Sequence, residues 1–73
     1  MAQEIIEAPM TGRITSVEVK VGDAVKERDS ICVIEAMKME IPITAPVVGT
    51  VCEVKVTEGQ VIKAGDLIAI IEN

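Results

Sequence analysis

Ala8-Pro9-Met10-Thr11-Gly12-Arg13-Ile14-Thr15-Ser16-Val17-Glu18-Val19 returns 37 positions later as Ala45-Pro46-Val47-Val48-Gly49-Thr50-Val51-Cys52-Glu53-Val54-Lys55-Val56. Sliding the whole sequence over itself by 37 without gaps pairs residues 2-36 with 39-73 and gives twelve identities in 35 pairs. Ordinary residue frequencies give about two. The identities run from Ile6/Ile43 to Glu35/Glu72, and conservative pairs such as Ile14/Val51 and Val25/Ile62 lie between them. Two repeats are too few for a solenoid, so the pattern predicts two halves closing around one core about a pseudo-two-fold axis. Residues 1-73 are expected to form a single domain with internal halves 2-36 and 39-73.

Each half reads as short strands broken by turn signals. Gly12 to Val19 and Gly49 to Val56 are rich in β-branched residues and partly alternating, and each runs into a glycine turn, Val21-Gly22-Asp23 or Glu58-Gly59-Gln60. Both glycines are expected at a backbone dihedral closed to other residues. Ala8-Pro9 and Ala45-Pro46 mark strand ends or edges, and Pro42 marks its strand as an edge or a bulged one. Ser30 to Glu35 and Leu67 to Glu72 are nearly continuous apolar runs, the pattern of strands buried on both faces. Ala24 to Arg28 has a helical composition, but its counterpart from Val61 to Gly65 does not, so both read as short strands entering turns. About eight short strands in two sheets follow, an all-β fold.

Composition excludes several functions. The chain has no Phe, Tyr or Trp and a formal charge of -5. It therefore has nothing on which a base can stack and no positive field for phosphates, and nucleic-acid binding is not expected. It has no His, which removes the usual base of nucleophilic triads and the commonest transition-metal ligand, so neither independent catalysis nor a metal site is expected. The longest apolar run, Leu67 to Ile71, is far below the ~20 residues that span a bilayer. Met1-Ala2-Gln3-Glu4 has no basic n-region for secretion, so membrane insertion is not expected and a cytoplasmic location is. Cys32 and Cys52 are read as reduced thiols filling space in or near the core.

One place breaks the local rules. The strand from Ser30 to Ala36 must reverse quickly to start Met39 to Thr44, which puts Met37 and Lys38 at a tight hairpin tip. Such tips favour Asn, Asp and Gly, which tolerate positive φ, and neither Met nor Lys is chosen for that reason. The tip lies where the halves join, and the repeat relates it to the chain termini, which are expected at the opposite end. Local rules broken in this way tend to mark function.

Glu35-Ala36-Met37-Lys38-Met39-Glu40 resembles the Glu-Ala-Met-Lys-Met signature of biotinyl domains, the biotin carboxyl carriers of biotin-dependent carboxylases, decarboxylases and transcarboxylases. The paired Ala-Pro-x-x-Gly-x-(Ile/Val) segments at Ala8 to Ile14 and Ala45 to Val51 agree with that family, and the resemblance covers nearly the whole chain. In particular the chain looks like the short, freestanding biotin/lipoyl attachment proteins of bacteria. The resemblance implies a flattened β-barrel, or barrel-sandwich hybrid, of two four-stranded antiparallel sheets, with biotin in amide linkage to Lys38. It also implies that Met37 and Met39 flank the lysine as recognition determinants. Ala36 and Glu35 complete the motif, and Glu35 reads mainly as structural because Glu72 repeats it where no lysine follows. Glu40, whose mate is Gln3, is assigned to a solvated face.

A carrier of this kind is a non-catalytic subunit. Its implied partners are a biotin protein ligase, a biotin carboxylase that loads a carboxyl group, and a carboxyltransferase or decarboxylase subunit that receives it. By itself it is expected to be a monomer. Two other readings compete. Lipoyl domains share the fold and carry their cofactor on a hairpin lysine, but their tip typically reads Asp-Lys-Ala rather than Met37-Lys38-Met39. A cofactor-free β assembly module would have no reason to keep Met-Lys-Met at its tip.

Overall fold

In a computed structural model, which describes residues 2-73, the chain runs as β1 (Gln3–Glu7), β2 (Gly12–Val17), β3 (Ala24–Val25), β4 (Ser30–Ala36), β5 (Met39–Thr44), β6 (Gly49–Val54), β7 (Val61–Ile62) and β8 (Leu67–Glu72). Two four-stranded antiparallel sheets result, in the orders β1-β8-β6-β3 and β5-β4-β2-β7. Advancing each strand by one half-repeat carries the first order onto the second, so both sheets contain strands from both halves. The tip of the β4–β5 hairpin has its counterpart at the ends of the chain. There Ala2 and Asn73 exchange two backbone hydrogen bonds, at 3.1 and 2.9 Å, in the place that Met39 and Ala36 hold at the tip.

The core is aliphatic. Ile14, Val25, Ile31, Ile34 and Ile6 are buried in one half, and their mates Val51, Ile62, Ile68, Ile71 and Ile43 are buried in the other. The strands read as buried on both faces, β4 and β8, do sit centrally in their sheets. However, their outward positions are not covered by another layer: Val33 and Ile70 are half-buried and Glu35 is exposed. Their continuous apolar runs reflect adjacent buried pairs, Ile31-Cys32 and Ile68-Ala69, beside irregularities in the register with β5 and β1. Pro42 lies on edge strand β5, where a missing N–H costs little. Gly22 and Gly59 take φ of 97° and 90°, as the turns require. Arg28 takes φ of 77° where its mate Gly65 takes 90°, so one copy of this turn carries strain that the other does not.

The cysteines occupy different environments. Cys52 is half-buried at a bulge of β6 and donates to the Ile70 carbonyl at 3.4 Å, as its mate Thr15 does to Val33 at 3.3 Å. Cys32 is fully buried, and burial, with a smaller contribution from the charge of Glu18, pushes its thiol up from 9.0 to about 11. The folded state therefore holds this proton more tightly than the unfolded chain. The associated stability is complete below pH about 9 and is lost as pH rises to about 11. We expect urea titrations to show a loss of about 2 kcal/mol across that window in the wild type. The loss should be absent in Cys32→Ala, a side chain that the mate position Ala69 already accommodates. Parallel losses in both proteins would assign the effect to other groups.

Candidate functional site

A two-residue loop closes the β4–β5 hairpin between the paired residues Ala36 and Met39. Its residues, Met37 at φ 52° and Lys38 at φ 64°, are both left-handed, the pattern of a type I′ turn. That geometry matches the twist of the flanking strands, and for side chains other than Gly, Asn or Asp it costs on the order of 1 kcal/mol per residue. The sequence thus maintains two strained positions at one tip. Met37 is 94% exposed and Met39 64% exposed, and Lys38 is exposed between them. Two thioethers in water beside a primary amine are not core packing. Neither ion pair among the described residues involves Lys38.

Cross-strand register supplies the base of the tip. Met39 faces Ala36, and one step below, Glu40 faces Glu35, which in turn faces Arg13 of β2. Two carboxylates directly opposite each other repel. Arg13 approaches Glu35 at 3.5 Å, but both side chains are exposed, so the pair contributes little stability. At the equivalent place in the other half Glu72 lies between neutral Gln3 and Thr50. Glu35 therefore shares its strand position with Glu72 but not its electrostatic surroundings, and Glu40 lies on the solvated face expected for it.

Gly12 belongs to the Ala-Pro-x-x-Gly segment, and its position in the motif alone does not show a role at the hairpin. A Cβ there would lie 2.5 Å from Ile34 Cγ2 and 2.6 Å from the Glu35 carbonyl oxygen, so its bare backbone allows β2 to press against β4 immediately below the tip. The repeat already carried the signal, because Gly49 meets Glu72 and Ile71 in the same way. Elsewhere, an open groove of about 420 Å³ lined by Val17, Glu18, Val19, Lys20 and Asp23 includes none of the hairpin residues. Among the described residues, no group of three or more His, Cys, Asp or Glu is placed to hold a metal ion, and no helix is long and apolar enough to cross a membrane.

This geometry presents one amine at the end of a rigid two-strand support, open to an enzyme from outside and fit to be acylated.

Comparisons with known proteins give a family and several relatives. The family model described as "Biotin-requiring enzyme" matches residues 4–71. Among curated proteins, the chain is 52% identical over 40 residues to the mitochondrial propionyl-CoA carboxylase alpha chain of Homo sapiens, covering 55% of this chain and 6% of that one. It is 49% identical over 37 residues to the methylmalonyl-CoA decarboxylase subunit gamma of Veillonella parvula, covering 51% of this chain and 29% of the relative. Among solved structures, the urea carboxylase of Kluyveromyces lactis superposes with a TM-score of 0.90 at 35% identity, over 99% of this chain and 6% of that one. A single-chain, multi-domain long-chain acyl-CoA carboxylase gives 0.87 at 29% identity, over 93% of this chain and 7% of that one. The chain thus spans less than a third of the length of each of these proteins.

Proposed function

The chain belongs to the family described as biotin-requiring enzymes, and from that premise we propose that it is a carrier domain of the biotin carboxyl carrier type, that Lys38 carries biotin in amide linkage and that the domain moves carboxyl groups between separate enzymes. The observation that carries this reading is the exposed Lys38 amine on a left-handed hairpin tip between two exposed methionines. The residues present fit such a group. Among the described residues Nζ has no ion pair to give up; in amide formation the neutral amine exchanges one N–H for an N–C bond to the biotin carbonyl carbon, the ATP-activated carboxyl losing its oxygen leaving group, for a net release of water. Lysine serves where arginine does not, because a primary amine forms a stable amide at the end of a flexible four-carbon stem.

When attached, biotin supplies the capacity to take up and release a carboxyl group, and the protein supplies position. The β4–β5 hairpin holds Lys38 at a fixed point, while the lysine stem gives the cofactor reach. Met37 and Met39 present soft, adaptable surfaces on both sides of the amine, suited to contact with more than one enzyme. Ala36 and Glu35 hold the last strand positions before the tip. The partners this reading requires are a biotin protein ligase, a biotin carboxylase and a carboxyltransferase or decarboxylase. The carboxylase and decarboxylase relatives favour biotin over lipoate.

The reading is tested by supplying the biotinylated protein to a biotin carboxylase with ATP and isotopically labelled bicarbonate. Label should become protein-bound and acid-labile with the wild type and remain at background with Lys38→Arg. Turnover of free biotin by the same carboxylase without labelling of the biotinylated protein would contradict the carrier role.

A further inference from the structure

The two halves treat their edge strands differently. Strand β1 ends one sheet and its mate β5 ends the other. In an antiparallel ladder, bonded and non-bonded pairs alternate. Ala2 and Asn73 form a bonded pair, so the register makes Glu4/Ile71 and Ile6/Ala69 bonded pairs as well. Gln3 and Ile5 consequently turn their backbone N–H and C=O groups away from β8, out of the sheet edge. On β5 the position equivalent to Ile5 is Pro42, which has no N–H to offer. One edge is closed by proline and the other is open, with Ile5 59% exposed on it.

We propose that the β1 edge is a self-association surface on which two copies of this chain pair antiparallel about Ile5. The two sheets become one, in the order β3-β6-β8-β1 continued by β1-β8-β6-β3 of the partner. The strand is self-complementary in this register. Ile5 exchanges two backbone hydrogen bonds with the partner's Ile5, Gln3 lies opposite the partner's Glu7, and Glu4 lies opposite the partner's Ile6, so no carboxylate meets a carboxylate. Behind each Ile5 lies half-buried Ile70, its cross-strand neighbour, so an apolar pair flanks the two-fold axis on each side, with Glu53 the next residue across the sheet. Lys38 lies on a hairpin of the other sheet, outside the paired strand, so a dimer displays two attachment lysines.

A five-residue edge buries less than the ~1,200 Å² of a stable interface, so the dimer is weak. Each copy carries a charge of -5, so association should strengthen as salt screens the repulsion. Sedimentation velocity of the full chain, up to about 1 mM and at low and high salt, should show a concentration-dependent dimer. Ile5→Pro removes both hydrogen bonds donated across the axis, in a backbone position where Pro42 shows that the fold admits proline, and should weaken association roughly thirtyfold. Ile5→Glu retains the N–H, places like charges on the axis and should abolish association, which keeps the test informative if the proline variant does not fold. Sedimentation of the wild type as a monomer throughout, leaving the edge to solvent or to a strand of a different protein, would overturn the proposal. So would a dimer that persists in both variants.

Discussion

Gly12→Ala is expected to lower the unfolding free energy by about 3 kcal/mol, a large fraction of what a domain of this size has. The added methyl would meet Ile34 Cγ2 at 2.5 Å and the Glu35 carbonyl oxygen at 2.6 Å. The oxygen belongs to a central strand paired on both sides and cannot rotate out of the way. Relief therefore requires β2 to move away from β4, which opens the ladder directly beneath the β4–β5 hairpin. Gly49→Ala should cost a similar amount, because Glu72 O and Ile71 Cγ2 lie 2.5 and 2.7 Å from the corresponding point. Urea denaturation of both variants checks this. A loss below about 0.5 kcal/mol at either position would mean that the close approach is not the reason for glycine there.

The second large effect concerns the placement of the amine. Exchanging the two tip residues, as the Met37→Lys, Lys38→Met double variant, keeps composition, charge and exposure of the hairpin but moves the amine one residue along the turn. Both positions are left-handed and open, so the fold should be unaffected. Successive side chains leave a turn in different directions, and a misplacement of this size costs a positioned reaction at least about 10²-fold in rate. Biotinylation rates with a biotin protein ligase should fall by that factor or more. An unchanged rate would mean that the ligase accepts any exposed amine and that the left-handed tip has no part in recognition.

Much of this architecture can be read from the sequence because the core repeats. A residue such as Ile34 and its mate Ile71 face the same demand in two places, so chance agreement is suppressed and strand positions emerge from one chain without relatives. Pro42 and the two turn glycines were legible because each has a specific backbone property. The outer faces were not legible, since an apolar run such as Ser30 to Glu35 does not show whether a second layer covers Val33. The tip was legible through its departure from turn chemistry, Met37-Lys38 standing where Asn-Gly would relieve strain. Arg13 facing Glu35, and Glu35 facing Glu40, depend on cross-strand register that spacing along the chain does not reveal. The packing reason for Gly12 needs the close approach of two backbones, which appears only when β2 and β4 are placed together.

The proposed attachment of biotin to Lys38 is tested most directly by the intact mass of the protein after incubation with a biotin protein ligase, ATP and biotin. A gain of one biotin less one water is expected on the wild type and no gain on Lys38→Arg. Parallel incubation with a lipoate ligase and lipoate should leave the wild-type mass unchanged. A lipoyl adduct in place of biotin, a biotin adduct that persists in Lys38→Arg, or no adduct from a ligase active on its own carrier would contradict it.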